Sequence, residues 1–225
     1  MSAMEPDARE RRATPPLTHA TPVYHLGRAL CCLELGLLHR FVVRGREHVP
    51  QTGGCLVVAN HQSFLDIPIV AASMKRHVAF VARDTLARSK FLAFLIRQSG
   101  SVLVKRGSAD RAALESIIDH LRAGDCVAVF PEGTRTRDGS LGEFRAGALF
   151  AARRAGVPLI PAGIVGAIDA MPRDALLPRL RRIEVRFAAP VPPDTEDAFE
   201  RVRAAIAERI GDGRLARGAP ARSGT

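Results

Sequence analysis

The stretch that most constrains this chain is Cys55 to Asp66, CLVVANHQSFLD, where an apolar run delivers one imidazole and one carboxylate five residues apart. The run Cys55 to Ala59, bounded by Gly53 and Gly54, reads as a short buried strand. Asn60 and His61 then fall at its carboxyl end, where open α/β sheets place their chemistry. The spacing adds a geometric condition. Five residues on one helix turn about 500°, which leaves the two side chains on different faces. His61 and Asp66 meet only if the strand ends before Gln62 and a turn precedes a helix starting near Ser63. Ser63 and Asp66 also fit a capping box, in which Asp66 would simply satisfy backbone donors. Pro68 counts against that frame, because it would lie beyond the first turn, where a missing N–H costs stability. If the pair meets, the carboxylate fixes the imidazole tautomer and stabilises the ring once protonated.

Downstream, short apolar runs alternate with amphipathic stretches. Strands are expected over 55–59, 78–82, 101–104, 126–130, 159–164 and 183–188, and helices over 64–74, 86–98, 108–123, 145–155 and 195–210. Gly156 and Gly211 act as stop signals for the last two helices. This alternation predicts an α/β fold, a single domain with a mixed, largely parallel sheet flanked by helices. A chain of 225 residues with 47% hydrophobic content is large enough for one full core. The expected organisation is a disordered basic arm over 1–22, an amphipathic membrane-interface helix over 23–41, the main domain over 42–210 and a flexible basic tail over 211–225.

The helix over 23–41 is interrupted by His25, Arg28, Glu34, His39 and Arg40, so it does not read as a membrane span. At helical spacing His25, Arg28, His39 and Arg40 gather on one side, with Leu26, Leu30, Leu33 and Leu37 opposite. Such a helix either covers the core or lies on an anionic bilayer. Glu34 falls within the apolar arc without an evident reason. The net charge of +10 favours anionic partners, and three of the 33 basic residues, Lys75, Lys90 and Lys105, are lysines; the others are arginines. Aromatic content of 5% with no Trp is poor material for stacking nucleobases, and no nucleic-acid motif is visible, which favours a lipid surface. Cys31, Cys32, Cys55 and Cys126 lack zinc-ligand spacing, so no metal is expected, and a reduced, cytoplasmic setting is the simplest inference. The polar, charged first 20 residues carry no secretory signal.

A second constellation, Phe130 to Arg135 (FPEGTR), also follows an apolar run and should lie beside the first if their strands are neighbours. Gly133 permits a tight turn, Arg135 offers a bidentate fork for a phosphate, and Glu132 can orient that fork or accept from a hydroxyl. The plain alternative is a turn with a surface Glu–Arg pair contributing about 0–1 kcal/mol. Taken together, NHQSFLD and FPEGTR resemble the glycerolipid acyltransferase family, and within it the 1-acylglycerol-3-phosphate acyltransferases, over about Tyr24 to Ala189. Asn60, His61, Ser63 and Asp66 match the family's first motif, and 130–135 match its third without change. Val157, Pro158 and Pro161 match a hydrophobic motif; Phe144, Arg145 and Gly147 match a downstream one. The second motif departs: Leu86, Gly100 and Arg106 are kept, while Arg83 keeps only the charge.

The resemblance implies transfer of a fatty acyl group from acyl-CoA or acyl-carrier protein, a co-substrate rather than a cofactor, to the hydroxyl of lysophosphatidate. His61 would be the general base and Asp66 its orienting partner. Arg135, Arg106 and Arg83 would hold the acceptor phosphate, and Asn60, Ser63, Glu132, Gly133 and Thr134 would complete the substrate pocket. The implied location is peripheral, on the cytoplasmic face of the cell membrane. A hydrolase using the same pair on water, a silent lipid-binding module and an acyltransferase with another lysolipid acceptor are alternative readings.

Overall fold

The computed structural model describes residues 21–83, 102–104, 110–172, 175 and 177–215. The expected helix over 86–98, Arg106, the arm before residue 21 and the tail from residue 216 lie outside the described residues, as does the Arg83 side chain. Among the described residues, seven strands form one sheet in the order β1-β7-β6-β2-β5-β3-β4. They are β1 (Val42–Arg44), β2 (Cys55–Ala59), β3 (Ala79–Arg83), β4 (Val102–Val104), β5 (Cys126–Val129), β6 (Leu159–Val165) and β7 (Glu184–Phe187). β6 and β7 pair antiparallel and every other pairing is parallel, giving the expected mixed, largely parallel sheet.

β2 lies at the centre, with all five residues buried. Its side chains divide by the strand period of two. Val57 and Ala59 face α1 (Pro22–His39) and α2 (Asp66–Ser73), meeting Leu35, Ile69 and Val70. Leu56 and Val58 face α3 (Asp110–Arg122), α4 (Gly147–Ala155) and α6 (Ala198–Leu215), meeting Leu121, Ala152 and Ile206. Fully burying each of Leu56, Val57 and Val58 contributes about 1.5–3 kcal/mol, against about 0.5–1.5 for a net hydrogen bond. Burial, more than the ladder, therefore fixes where β2 stops and where Asn60 emerges. The short helix α5 (Ala167–Ala170) follows β6 and buries Ala167 and Ala170 in the first of these cores.

Three expectations are corrected. Gly211 does not end the last helix, since α6 continues to Leu215; with no Cβ clash nearby and no positive φ, this glycine is simply carried within the helix. β1 and α5 have no counterpart among the expected elements, because three or four residues are too few to show a period. The basic stripe of α1 is also turned partly inward. Arg28 donates to Ala71 O and Met74 O at the end of α2, and buried His39 contacts Arg181 O. Glu34 accepts from His39 Nε2 at 3.1 Å, which accounts for a carboxylate in that arc. Leu26, Leu30, Leu33 and Leu37 are left 57–73% exposed. Among the described residues, no helix is long and apolar enough to cross a membrane.

Candidate functional site

β2 and β5 are parallel neighbours, with Val58 opposite Val129, so the two motifs leave the sheet side by side at its carboxyl edge. After Ala59 the chain turns through Asn60–Leu65 and enters α2 at Asp66. The helix thus begins later than a capping box at Ser63 requires, and Pro68 falls within its first turn, where the missing N–H is tolerated. Asp66 is fully buried. Its Oδ2 accepts from Gln62 N at 2.6 Å, Ser63 N at 2.8 Å and His61 Nδ1 at 2.8 Å. One carboxylate therefore both shapes the turn and orients the imidazole. Because an ionised carboxylate only accepts, the contact assigns the N–H to Nδ1 and leaves the lone pair on Nε2. The His61 ring stacks on Phe130 with centroids 4.3 Å apart and retains 21% exposure.

Glu132 does not orient Arg135 in the way the sequence suggests. Its Oε1 accepts from His61 N at 3.0 Å and its Oε2 from Gly142 N at 3.1 Å, so the carboxylate ties the second motif to the backbone of the first. Burial raises its pKa above the ordinary value, against the opposing pull of those two N–H groups and of His61. The approach is close enough that a Cβ on Gly142 would lie 2.7 Å from Oε2. A further bond, Thr136 N to His61 O at 2.9 Å, fastens the other side of the His61 peptide. Gly133 has φ +68°, and the Arg145 guanidinium packs against it, 3.0 Å from where a Cβ would stand.

Arg135 lies with its guanidinium carbon 3.5 Å above the ring of Phe64, which joins the two motifs on the solvent side. Thr134 is exposed and, with Glu132, Thr136, Phe144 and Arg145, lines a pocket of about 330 Å³. Asn60 and Ser63 are turned elsewhere. Both ends of the Asn60 amide are bonded to Ile164, with Nδ2 to its carbonyl at 3.1 Å and Oδ1 to its N–H at 2.7 Å, which locks the end of β2 to β6. Ser63 Oγ donates to Met171 O at 2.9 Å and accepts from Leu65 N at 3.2 Å. These contacts tie both side chains to the backbone of neighbouring segments.

Gln62, Phe64 and Gly142 were given no role from sequence, and Phe130 and Arg145 entered only as motif positions. Gln62 is buried and donates to Gly139 O at 3.2 Å, bracing the loop after FPEGTR. Each lies in or beside a recognised motif, so position in the motif was the available signal; its partner was not.

The arrangement offers a hydrogen-bonded base, a partly open face and nearby arginine side chains, which suits removal of a proton from a hydroxyl. The model of the Acyltransferase family matches residues 40–165, more than half of the chain, and spans both motifs. A chloroplastic 1-acyl-sn-glycerol-3-phosphate acyltransferase of Brassica napus is 32% identical over 133 residues, covering 58% of this chain and 38% of the relative. A lyso-ornithine lipid O-acyltransferase of Rhodobacter capsulatus is 36% identical over 110 residues, covering 48% and 37%. The chain therefore spans well under two thirds of these relatives' length. The crystal structure of the 1-acyl-sn-glycerophosphate acyltransferase of Thermotoga maritima superimposes with a TM-score of 0.73 at 28% identity, covering 88% of this chain and 81% of that one. With the paired histidine and aspartate inside the matched span, the chain belongs to the acyltransferase family.

Proposed function

We propose that this chain is an enzyme that transfers a fatty acyl group from a thioester donor, acyl-CoA or acyl-carrier protein, to the free hydroxyl of lysophosphatidate, giving phosphatidate. The observation that carries the reading is the 2.8 Å contact of His61 Nδ1 with a buried Asp66 carboxylate. His61 Nε2 takes the proton of the acceptor hydroxyl as its oxygen attacks the thioester carbonyl carbon. The tetrahedral intermediate collapses with loss of the C–S bond, and the imidazolium returns the proton to the departing thiolate. Ester and free thiol result, with no acyl-enzyme. Asp66 holds the tautomer through both steps and stabilises the transient positive charge.

Arg135, with Arg106 and Arg83, holds the acceptor phosphate, and Thr134 and the Glu132–Gly133 turn shape the pocket beside it. The named activities of the Brassica napus and Thermotoga maritima proteins support this acceptor; the lyso-ornithine lipid enzyme makes a second lysolipid the proper control. The leucine face of α1 supports peripheral attachment to an anionic membrane, on its cytoplasmic side. The test is thiol release from each donor with and without lysophosphatidate, followed by identification of the lipid product. Phosphatidate formed only with lysophosphatidate present is the expected result. Free fatty acid in its place would make the chain a hydrolase, and no thiol release would leave a binding module. Arg135→Ala should raise the lysophosphatidate concentration required roughly tenfold or more, since a charge-assisted bond contributes about 1.5–3 kcal/mol.

A further inference from the structure

Residues 177–182, LPRLRR, combine two highly exposed leucines, Leu177 at 78% and Leu180 at 69%, with three exposed arginines, Arg179, Arg181 and Arg182. Topology fixes where they sit. β7 runs antiparallel to β6 with Glu184 opposite Val165, so the segment leading into β7 lies at the carboxyl end of β6, the end from which His61 emerges from β2. The approach is tight: Gly166, directly after β6, has φ +85° and would place a Cβ 2.1 Å from Arg182 O. The same segment holds the end of α1, since Arg181 O contacts His39 Nδ1 at 3.1 Å and Ile183 N donates to His39 O at 2.9 Å. Leu37 and Leu38 of α1, 73% and 46% exposed, directly precede His39 in the chain.

We propose that residues 177–182 are a second lipid-contacting element, which together with the outer face of α1 seats the carboxyl edge of the sheet, and with it His61, on an anionic bilayer. Arginines that alternate with leucines suit an interface: the apolar side chains enter the acyl boundary while the guanidinium groups stay at headgroup level. The attachment of this segment to His39 puts it next to the end of α1, whose outer face carries exposed leucines, and a chain of net charge +10 adds long-range attraction to anionic lipid. A lipid acceptor then reaches the dyad without leaving the membrane surface. That last consequence rests on the function proposed above, whereas the docking surface itself is read independently of turnover.

The test uses the full chain, sedimented with vesicles of phosphatidylcholine alone or with about 30% phosphatidylglycerol, alongside turnover of detergent-dispersed lysophosphatidate. Leu177→Ser with Leu180→Ser should weaken partition about tenfold or more on both vesicle types. Arg179→Ser with Arg181→Ser should weaken it only on anionic vesicles at low salt, and the matching lysine pair should restore it. Turnover of the dispersed substrate should hold in all three, which also reports an intact fold. Unchanged partition in both serine variants would overturn the proposal, as would a loss confined to binding of an acidic carrier protein. If partition responds as expected while wild type shows no transfer, the proposed function fails and the docking surface stands.

Discussion

Among the described residues, two histidine–aspartate pairs have the same spacing and nearly the same contact. His61 Nδ1 lies 2.8 Å from Asp66 Oδ2, and His120 Nδ1 lies 2.9 Å from Asp125 Oδ2. Their settings differ. The first sits beyond the carboxyl end of β2, and its imidazole is 21% exposed. The second closes the turn from α3 into the amino end of β5, at the opposite edge of the sheet, and its imidazole is 3% exposed. Asp125 N also donates to His120 O at 3.0 Å, so this pair fastens a helix end to a strand start. Spacing and hydrogen bonding therefore do not distinguish the two pairs; the edge of the sheet and the exposure of the imidazole do.

Exchanging the two histidines is the strongest way to break that comparison. His61→Ala should lower transfer by about 10²–10⁴-fold with the fold retained, because a general base contributes that much. His120→Ala should leave transfer intact and instead lower the denaturant midpoint, since a buried carboxylate loses one of its donors at about 1–3 kcal/mol. Comparable loss of turnover in both variants would remove the distinction. The aspartates sharpen it. Asp66→Asn should cost transfer on the order of 10²–10⁴-fold through the wrong tautomer, while Asp125→Asn should be nearly silent in the same thiol-release assay.

Glu132 gives a smaller and pH-dependent effect. Glu132→Gln keeps one acceptor where the carboxylate serves both His61 N and Gly142 N, so turnover should fall about tenfold. Burial lifts the Glu132 pKa above its ordinary value of 4.5. A raised carboxyl contributes stability that is fully present below that ordinary value and is lost as the pH rises through the elevated one. The stability advantage of wild type over Glu132→Gln, measured by urea unfolding, should thus shrink as the pH rises above the ordinary carboxyl value of 4.5. An advantage that grows with pH would reverse the assignment. The smallest effect belongs to Gly133→Ala, where φ +68° and the Arg145 guanidinium both resist a methyl group. It should cost about 1–2 kcal/mol by thermal or urea unfolding.

Much of the sheet was legible because its strands are buried on both faces, and such strands appear as unbroken apolar runs. CLVVA and CVAV were located to within a residue, and so was the carboxyl-edge position of both motifs. The start of α2 was not. It depends on Asp66 Oδ2 accepting from Gln62 N, Ser63 N and His61 Nδ1 at once, three donors of which a capping box at Ser63 accounts only for the Ser63 N–H. The direction of α1 was equally hidden. An amphipathic pattern shows two faces without showing which packs inward, and here the helix-end carbonyls of α2 draw Arg28 toward the domain while the leucines turn out.

What the sequence determined by itself was the α/β class, the ends of the central strands and the need for a turn if His61 and Asp66 are to meet. These follow from local periodicity and from the incompatibility of a five-residue spacing with a straight helix. Tertiary structure alone decided that Glu132 grips the backbone of His61, that Asn60 locks β2 to β6, and that the pair at His120 is walled in at the far edge of the sheet. Such choices depend on which strands are neighbours and on which donors lie within about 3 Å, and residues 71 or 104 positions apart in the chain carry no local trace of that proximity.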